Sequence, residues 1–236
     1  MIKLSRVFSI TLFICGIVIF CFVDSALGKV VITGEKMEIK DNGEITVLKG
    51  NLKVTSDWST ITARNITYNR GKSVISAYGD VNFLLNLKDN EMIEGCGNFA
   101  HYDMNKKKGK IWGDTTLKLK YFMNNLSSPM PTILCAQEVY IDDNLKTLNA
   151  YDDVEVITSY GTIYSDNAIF SKKEHYAVFR KDKKRPVANI FHDGIKGVCE
   201  ADKMVFYGSS ASDKKGVAMY GLVEVKIEMK DKKSDA

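Results

Sequence analysis

Proline is scarce in this chain: of 236 residues, only Pro129, Pro131 and Pro186 are proline. Long extended segments can therefore run without the residue that most readily interrupts strand pairing. An excess of one charge is lacking too. The 33 basic and 29 acidic residues leave a formal charge of only +4. Mixed signs at that level are no nucleic-acid footprint, although they tolerate weak attraction to an anionic partner. With 45% hydrophobic and 26% charged residues, the composition is that of a globular chain and not a disordered one. Histidine is limited to His101, His175 and His192. These lie far apart with no cysteine or carboxylate at metal-ligand spacing, so they read as surface or strand histidines, and neither metal nor cofactor is expected. A strand-to-helix serine elbow, a phosphate loop and a dinucleotide fingerprint are all missing. Carboxylates are numerous enough to hide a catalytic pair in the fold, which keeps a β-rich carbohydrate-active enzyme open as an alternative.

Cysteine excludes a further class. Of the five cysteines, Cys15 and Cys21 fall in the first 28 residues, leaving Cys96, Cys135 and Cys199. An odd number permits at most one bridge within the chain, so this is no disulfide scaffold, and its length allows a hydrophobic core instead.

Helical periodicity is absent beyond the first 28 residues, which differ from the rest. Lys3 and Arg6 precede an apolar run from Val7 to Val23, followed by "DSALG". The pattern is that of a secretory signal, with Ala26-Leu27-Gly28 as cleavage site. The 17-residue run also stands at the short limit of a membrane-spanning helix. Residues 1–28 are thus a signal peptide or an N-terminal membrane anchor, and either exports the remainder. Neither Cys15 nor Cys21 follows the small residue that a lipid anchor needs. Without residues 1–28 the chain carries 31 basic and 28 acidic residues, a net +3. Residues 29–230 read as one domain and 231–236 as a charged tail.

What the chain does have is an internal repeat. A small residue, two polar residues, two variable ones and a large apolar one recur as "GEKMEI" (34–39), "ARNITY" (63–68), "GNFAHY" (97–102), "AQEVYI" (136–141), "SDNAIF" (165–170) and "ADKMVF" (201–206). The third copy is loose, because Phe99 replaces a polar residue. Turn residues follow at Asp41-Asn42-Gly43, Asn69-Arg70-Gly71, Asp142-Asp143-Asn144 and Gly208-Ser209. A second element comes next: "GNLKV" (50–54), "GDVNF" (79–83), "GDTTL" (113–117), "DDVEV" (152–156) and "GLVEV" (221–225). Gly34 to Gly50, Ala63 to Gly79, Gly97 to Gly113 and Ala136 to Asp152 are each 16 residues apart. Leu52 with Val54, Val81 with Phe83, and Val154 with Val156 alternate by twos, as in half-buried strands. The expected fold is all-β: an elongated antiparallel β-jelly roll, an open clasp, built from about six repeated β-hairpin units.

The A-[DR]-[KN]-x-x-[YF] element, a turn, then G-[ND]-[VL]-x-[VF] resembles the OstA-like repeat of lipopolysaccharide-transport proteins: LptA, LptC and the N-terminal domain of LptD. The best copies are "ITARNITYNRGKSVISAYGDVNF" (61–83) and "CEADKMVFYGSSASDKKGVAMYGLVEVKI" (199–227), and the likeness runs from residue 30 to about 229. The resemblance implies a non-enzymatic periplasmic protein. Its interior would hold the lipid A acyl chains of lipopolysaccharide, and its ends would stack on other Lpt jelly rolls or on copies of itself. Energy would come from an inner-membrane ABC transporter complex. An LptC-like anchored scaffold that only organises protein partners is the alternative.

Alternation and resemblance together give the expected groove-facing set: Val30, Ile32, Leu52, Val54, Ile61, Val81, Phe83, Tyr102, Met104, Val154 and Val156. Ala63 shares that face. Mutual packing of these side chains is the plainer reading of any one of them. The terminal segments "KVVITGEKMEI" and "GLVEVKIEM" are apolar, proline-free strand candidates, which the resemblance makes docking edges for head-to-tail assembly unless a loop, the tail or an anchor covers them. Cys96 and Cys135 hold the same place in successive copies, so either a bridge between neighbouring strands or two free thiols is open. The runs "KKKGK" (106–110) and "RKDKKRP" (180–186) read as solvated tips, with lipid phosphate as the sharper option. Asp142-Asp143 and Asp152-Asp153 are expected to shape the turns of a hairpin, and Trp58 and Trp112 to pack.

Overall fold

A computed structural model describes residues 31–55, 59–86, 92–122, 131–142, 147–171, 174, 176–192, 195–207 and 216–229. The leader, the charged tail, Val30, Trp58 and His175 lie outside these residues. Among the described residues the chain is strand and turn apart from a single 3-10 turn at Asp41–Gly43, and no helix is long and apolar enough to cross a membrane.

The strands in chain order are β1 (Val31–Thr33), β2 (Lys36–Lys40), β3 (Ile45–Thr55), β4 (Ser59–Asn69), β5 (Val74–Asn86), β6 (Met92–Asp103), β7 (Lys108–Phe122), β8 (Thr132–Asp142), β9 (Thr147–Thr158), β10 (Gly161–Ser171), β11 (Tyr176–Arg180), β12 (Val187–His192), β13 (Ile195–Glu200), β14 (Lys203–Tyr207), β15 (Gly216–Tyr220) and β16 (Glu224–Met229). All pairings are antiparallel, and from β3 to β10 each strand pairs with the next.

These long strands are bent. Register shifts fall between Lys49 and Leu52, Thr62 and Asn65, Tyr78 and Val81, Cys96 and Phe99, Trp112 and Leu117, and Cys135 and Glu138. Each bend divides a strand between two leaves. Leaf 1 runs β2, the 45–49 end of β3 and its equivalents, then β11, β14 and β15. Leaf 2 runs β1, the 52–55 end of β3 and its equivalents, then β12, β13 and β16. At both ends of the chain the bend has become a break, so β1 with β2, and β15 with β16, act as single bent strands in two pieces. The jelly roll is therefore a clasp: two leaves joined along a spine of bends.

The repeat lies on this spine, and its second element bends a strand from within. Gly50 (φ +78°) and Asn51 (+41°), Gly79 (+78°) and Asp80 (+50°), and Asp152 (+59°) and Asp153 (+52°) sit in mid-strand with left-handed backbone. Glycine adopts that conformation freely, and Asn and Asp tolerate it best among the others. Asp152 and Asp153 thus bend β9 from within and shape no hairpin turn, and Asp143 is outside the described residues. The 16-residue offset is the chain length from one bend, round a leaf 1 turn, to the facing bend. There the Arg64 side chain lies across Gly79, its Cβ 2.9 Å from where a glycine Cβ would stand. Arg64 Nε also donates to Asp80 Oδ2 at 2.8 Å. Glu35 covers Gly50 and accepts from Asn51 Nδ2 at 3.0 Å, and Asp202 covers Gly221. These ties are exposed and worth little each as ion pairs. Their common effect is to keep facing bends in register.

The first element of the repeat crosses the spine as well. Ala63, Ile66 and Tyr68 all point inward, as do Ala136 and Val139, and Ala201 and Met204; each of these is buried. The two polar residues between the first and second inward positions form the bulge and turn outward. The core runs along the spine, with Leu52, Val81, Leu117, Ala136 and Val154 all at most 2% exposed.

Cys96 and Cys135 cannot bridge. Lys118 of β7 pairs with Cys96 on one side and Cys135 on the other. The two cysteines are thus two strand spacings apart, roughly 9.5 Å, beyond the ~7 Å a disulfide spans. All three described cysteines are free. Burial, then the charge of Glu155, raises the Cys135 thiol, and burial raises Cys199.

Candidate functional site

The two leaves do not close completely over β3–β8. Between them lies a groove of about 630 Å³ including the solvent at its mouth, of which about 60 Å³ admits the centre of a water molecule. Leaf 2 supplies Val54, Ile61, Val81, Phe83 and Leu85; leaf 1 supplies Ile66, Ile75, Ala77, Ala100, Ile111 and Ile141. Every lining residue is apolar. Leu85 and Ile75 stand near the turns of β5, and Val81 and Ala77 near its bend, so the groove spans from spine to lip. Phe83 is only half-buried. Its ring leans over Gly95, where an added Cβ would overlap both Phe83 Cζ and Leu119 Cδ2. Gly95 thus makes the room that lets the Phe83 ring lie along the groove wall.

Of the residues expected to face the groove, Val54, Ile61, Val81 and Phe83 line it. Leu52, Val154 and Val156 are buried in the filled part of the core, Leu52 beneath Gly34. Tyr102 is buried, and Ile32 and Met104 are half-buried against the core. Leaf 1 supplies six lining residues that the sequence expectation left out. The signal was present in the fourth position of the repeat, occupied by Met37, Ile66, Ala100, Val139, Ala168 and Met204. It is apolar in every copy, yet it reads as variable unless the bulge before it is known.

The two ends expose the inward face. At the first end Met37 and Ile39 pair with Leu48 and Thr46 but are 41% and 53% exposed. At the last end Val217 faces Phe206 in register, Val225 faces Cys199, and Ile227 is 60% exposed. These side chains sit at core positions, and among the described residues no further strand covers them.

Among the described residues no charged side chain lines the groove. Glu38 on β2 receives hydrogen bonds from Lys36 and Lys49, which hold its carboxyl down at about 2. Lys110 lies 2.8 Å from Glu138 on the outside of leaf 1, over the rings of Trp112 and Tyr140. Trp112 stacks on Phe99 at 5.5 Å, so the aromatic residue that loosened the third repeat copy packs on the outer face. Ser76 Oγ and His101 Nδ1 lie 3.0 Å apart, a strand pairing with no further ligand around it. Among the described residues no group of three His, Cys, Asp or Glu side chains could hold a metal ion.

A clasp built on bends with this repeat, enclosing an apolar groove, invites comparison with known families. Residues 31–127 match the family described as "LptA/(LptD N-terminal domain) LPS transport protein". The matched stretch, about two fifths of the chain, is similar to that family. It contains β1 to β7 and most of the groove lining. No match to the chain was found among curated proteins. Among solved structures, the chain is similar to LptH, the LptA-homologous periplasmic component of the lipopolysaccharide transport device of Pseudomonas aeruginosa. Identity is 11% and the TM-score 0.35, over 70% of this chain and 96% of that one.

Proposed function

We propose that this chain is a periplasmic lipopolysaccharide-transport protein that carries lipid A acyl chains between its leaves. The observation that carries the reading is the groove, apolar on both walls and open at the lips. Each methylene exposed to water costs about 0.8 kcal/mol, so a chain of about a dozen carbons costs roughly 10 kcal/mol. A groove of Val, Ile, Leu and Phe removes most of that without any reacting group. Transport along such a surface uses many weak contacts in place of one tight pocket, and the protein acts as a carrier, not an enzyme. Export through residues 1–28 places it in the periplasm, whether that segment is cleaved or stays as an anchor.

The uncovered ends extend the proposal. An edge of unpaired backbone next to exposed core-face residues is a template for another strand. Other Lpt jelly rolls, or copies of this chain, would stack on β1–β2 and on β15–β16 as a bridge fed by an inner-membrane ABC transporter.

A photoreactive amino acid at Ile61 or Phe83, and in parallel at the outward position Thr67, tests the carrier reading. Lipopolysaccharide is expected to crosslink to the first two. Capture at Thr67 with none at Ile61 or Phe83 sinks the interior-carrier reading and favours the scaffold alternative.

A further inference from the structure

The groove ends part-way along the clasp. Its lining stops at Ile111 and Ile141, on β7 and β8. Beyond them the inward side chains of the described residues pack against one another. Phe170 of β10, Phe179 of β11 and Phe206 of β14 meet edge to face, with ring centroids 5.9 Å apart for the first pair and 5.5 Å for the second. Phe179 is 1% exposed, and Met204 beside it is fully buried. On leaf 2, Ala188 is 1% exposed, and Ile163 and Ile190 are packed against the same core. Three rings packed edge to face on one leaf, with aliphatic side chains on the other, fill the gap. In the β3–β8 half the lining is aliphatic on both leaves apart from Phe83, for whose ring Gly95 leaves room.

We propose that the groove is blind on its C-terminal side, and that Phe170, Phe179 and Phe206 form the plug that stops an acyl chain. This rests on the carrier reading above and adds a direction to it. Chains enter over the lips of β3–β8, a span of five strand spacings or roughly 24 Å. Passage to a partner at β15–β16 requires the rings to move, whereas the β1–β2 end has no such stop. The three phenylalanines therefore determine how deep a chain lies and by which end it leaves.

The test uses the exported chain and dodecanoic acid with a diazirine at its terminal carbon, with the labelled residues mapped by mass spectrometry. In the wild type, label is expected on β3–β8 and none at Ile190 or Met219. The double variant Phe179→Ala, Phe206→Ala is expected to extend labelling to Ile190 and Met219. If that variant does not fold, Phe179→Leu with Phe206→Leu lowers the plug while keeping most of its volume, and serves instead. Wild-type label at Ile190 equal to that at Phe83 overturns the plug. Label unchanged in a folded variant also overturns it, since something else then closes the groove. No wild-type label anywhere overturns the carrier reading itself, an outcome distinct from either of these.

Discussion

The same substitution at two phenylalanines separates a groove wall from a core. Phe179 is 1% exposed and touches Phe170 and Phe206, so Phe179→Ala removes a fully packed ring and leaves a cavity. Such changes cost about 3–5 kcal/mol. Phe83 is half-buried and faces the groove, so its ring already lacks neighbours on one side. Fully burying a Phe side chain is worth about 1.5–3 kcal/mol, and half of that, about 1 kcal/mol, is expected for Phe83→Ala. In a domain of this size each kcal/mol shifts Tm by roughly 2–4 °C. The expected losses are therefore about 2–4 °C for Phe83→Ala and about 6–20 °C for Phe179→Ala. Thermal unfolding followed by far-UV circular dichroism reads both, with urea unfolding to check that the slope is unchanged. Lipid capture should move the opposite way, falling for Phe83→Ala. Equal destabilisation by the two substitutions would refute the reasoning, because Phe83 would then be an ordinary core residue and the groove a packing gap.

The remaining expectations concern the spine, the ends and the thiols. Gly79→Ala meets both a left-handed backbone and the Arg64 side chain, so it should cost about 2 kcal/mol or more; Gly43→Ala, also at positive φ but with open space around it, should cost only about 1–2 kcal/mol, and equal Tm losses would remove the role given to the Arg64 contact. Arg185 is tied to Glu200 at 3.0 Å and Glu224 at 3.5 Å and donates to the Leu222 carbonyl, so Arg185→Met should cost about 1.5–3 kcal/mol and speed hydrogen exchange in β16; unchanged exchange there argues against the tie. The depressed Glu38 carboxyl adds stability that is present above about 4.5 and lost as pH falls through about 2. Carboxyl NMR should show Glu38 titrating near that lower value and rising in Lys49→Met, and titration at the ordinary value in the wild type would mean the lysine contacts are not populated. Cys96 should react readily with a thiol reagent under native conditions and Cys199 only on unfolding, with no bridge detected by non-reducing mass analysis.

The strand-rich class, the repeat and the inward face were legible in the sequence, because alternation by twos and a 16-residue offset are local properties of the chain. Leu52, Val54, Val81, Val154 and Val156 are buried as alternation requires. The meaning of the repeat was not legible. "ARNITY" reads as half of one hairpin unit, but its first residue belongs to leaf 2 and its fourth and sixth to leaf 1, with a bulge between them. A bulge shifts the inward parity by one, so a period-two reading loses the face at each such bend and with it Ile66, Ala100 and Ile141. The cysteines show the same limit: equal places in successive repeats suggested neighbours, while the topology sets β7 between them. Which apolar residues line a groove and which fill a core was likewise decided only in three dimensions. Val54 and Val156 are equally apolar and alternate in the same way. The first lines the gap and the second lies in the filled part of the core, because an aliphatic side chain is lipid-facing or buried according to what the opposite leaf places across from it, and that pairing is set by the bends, not by the residue.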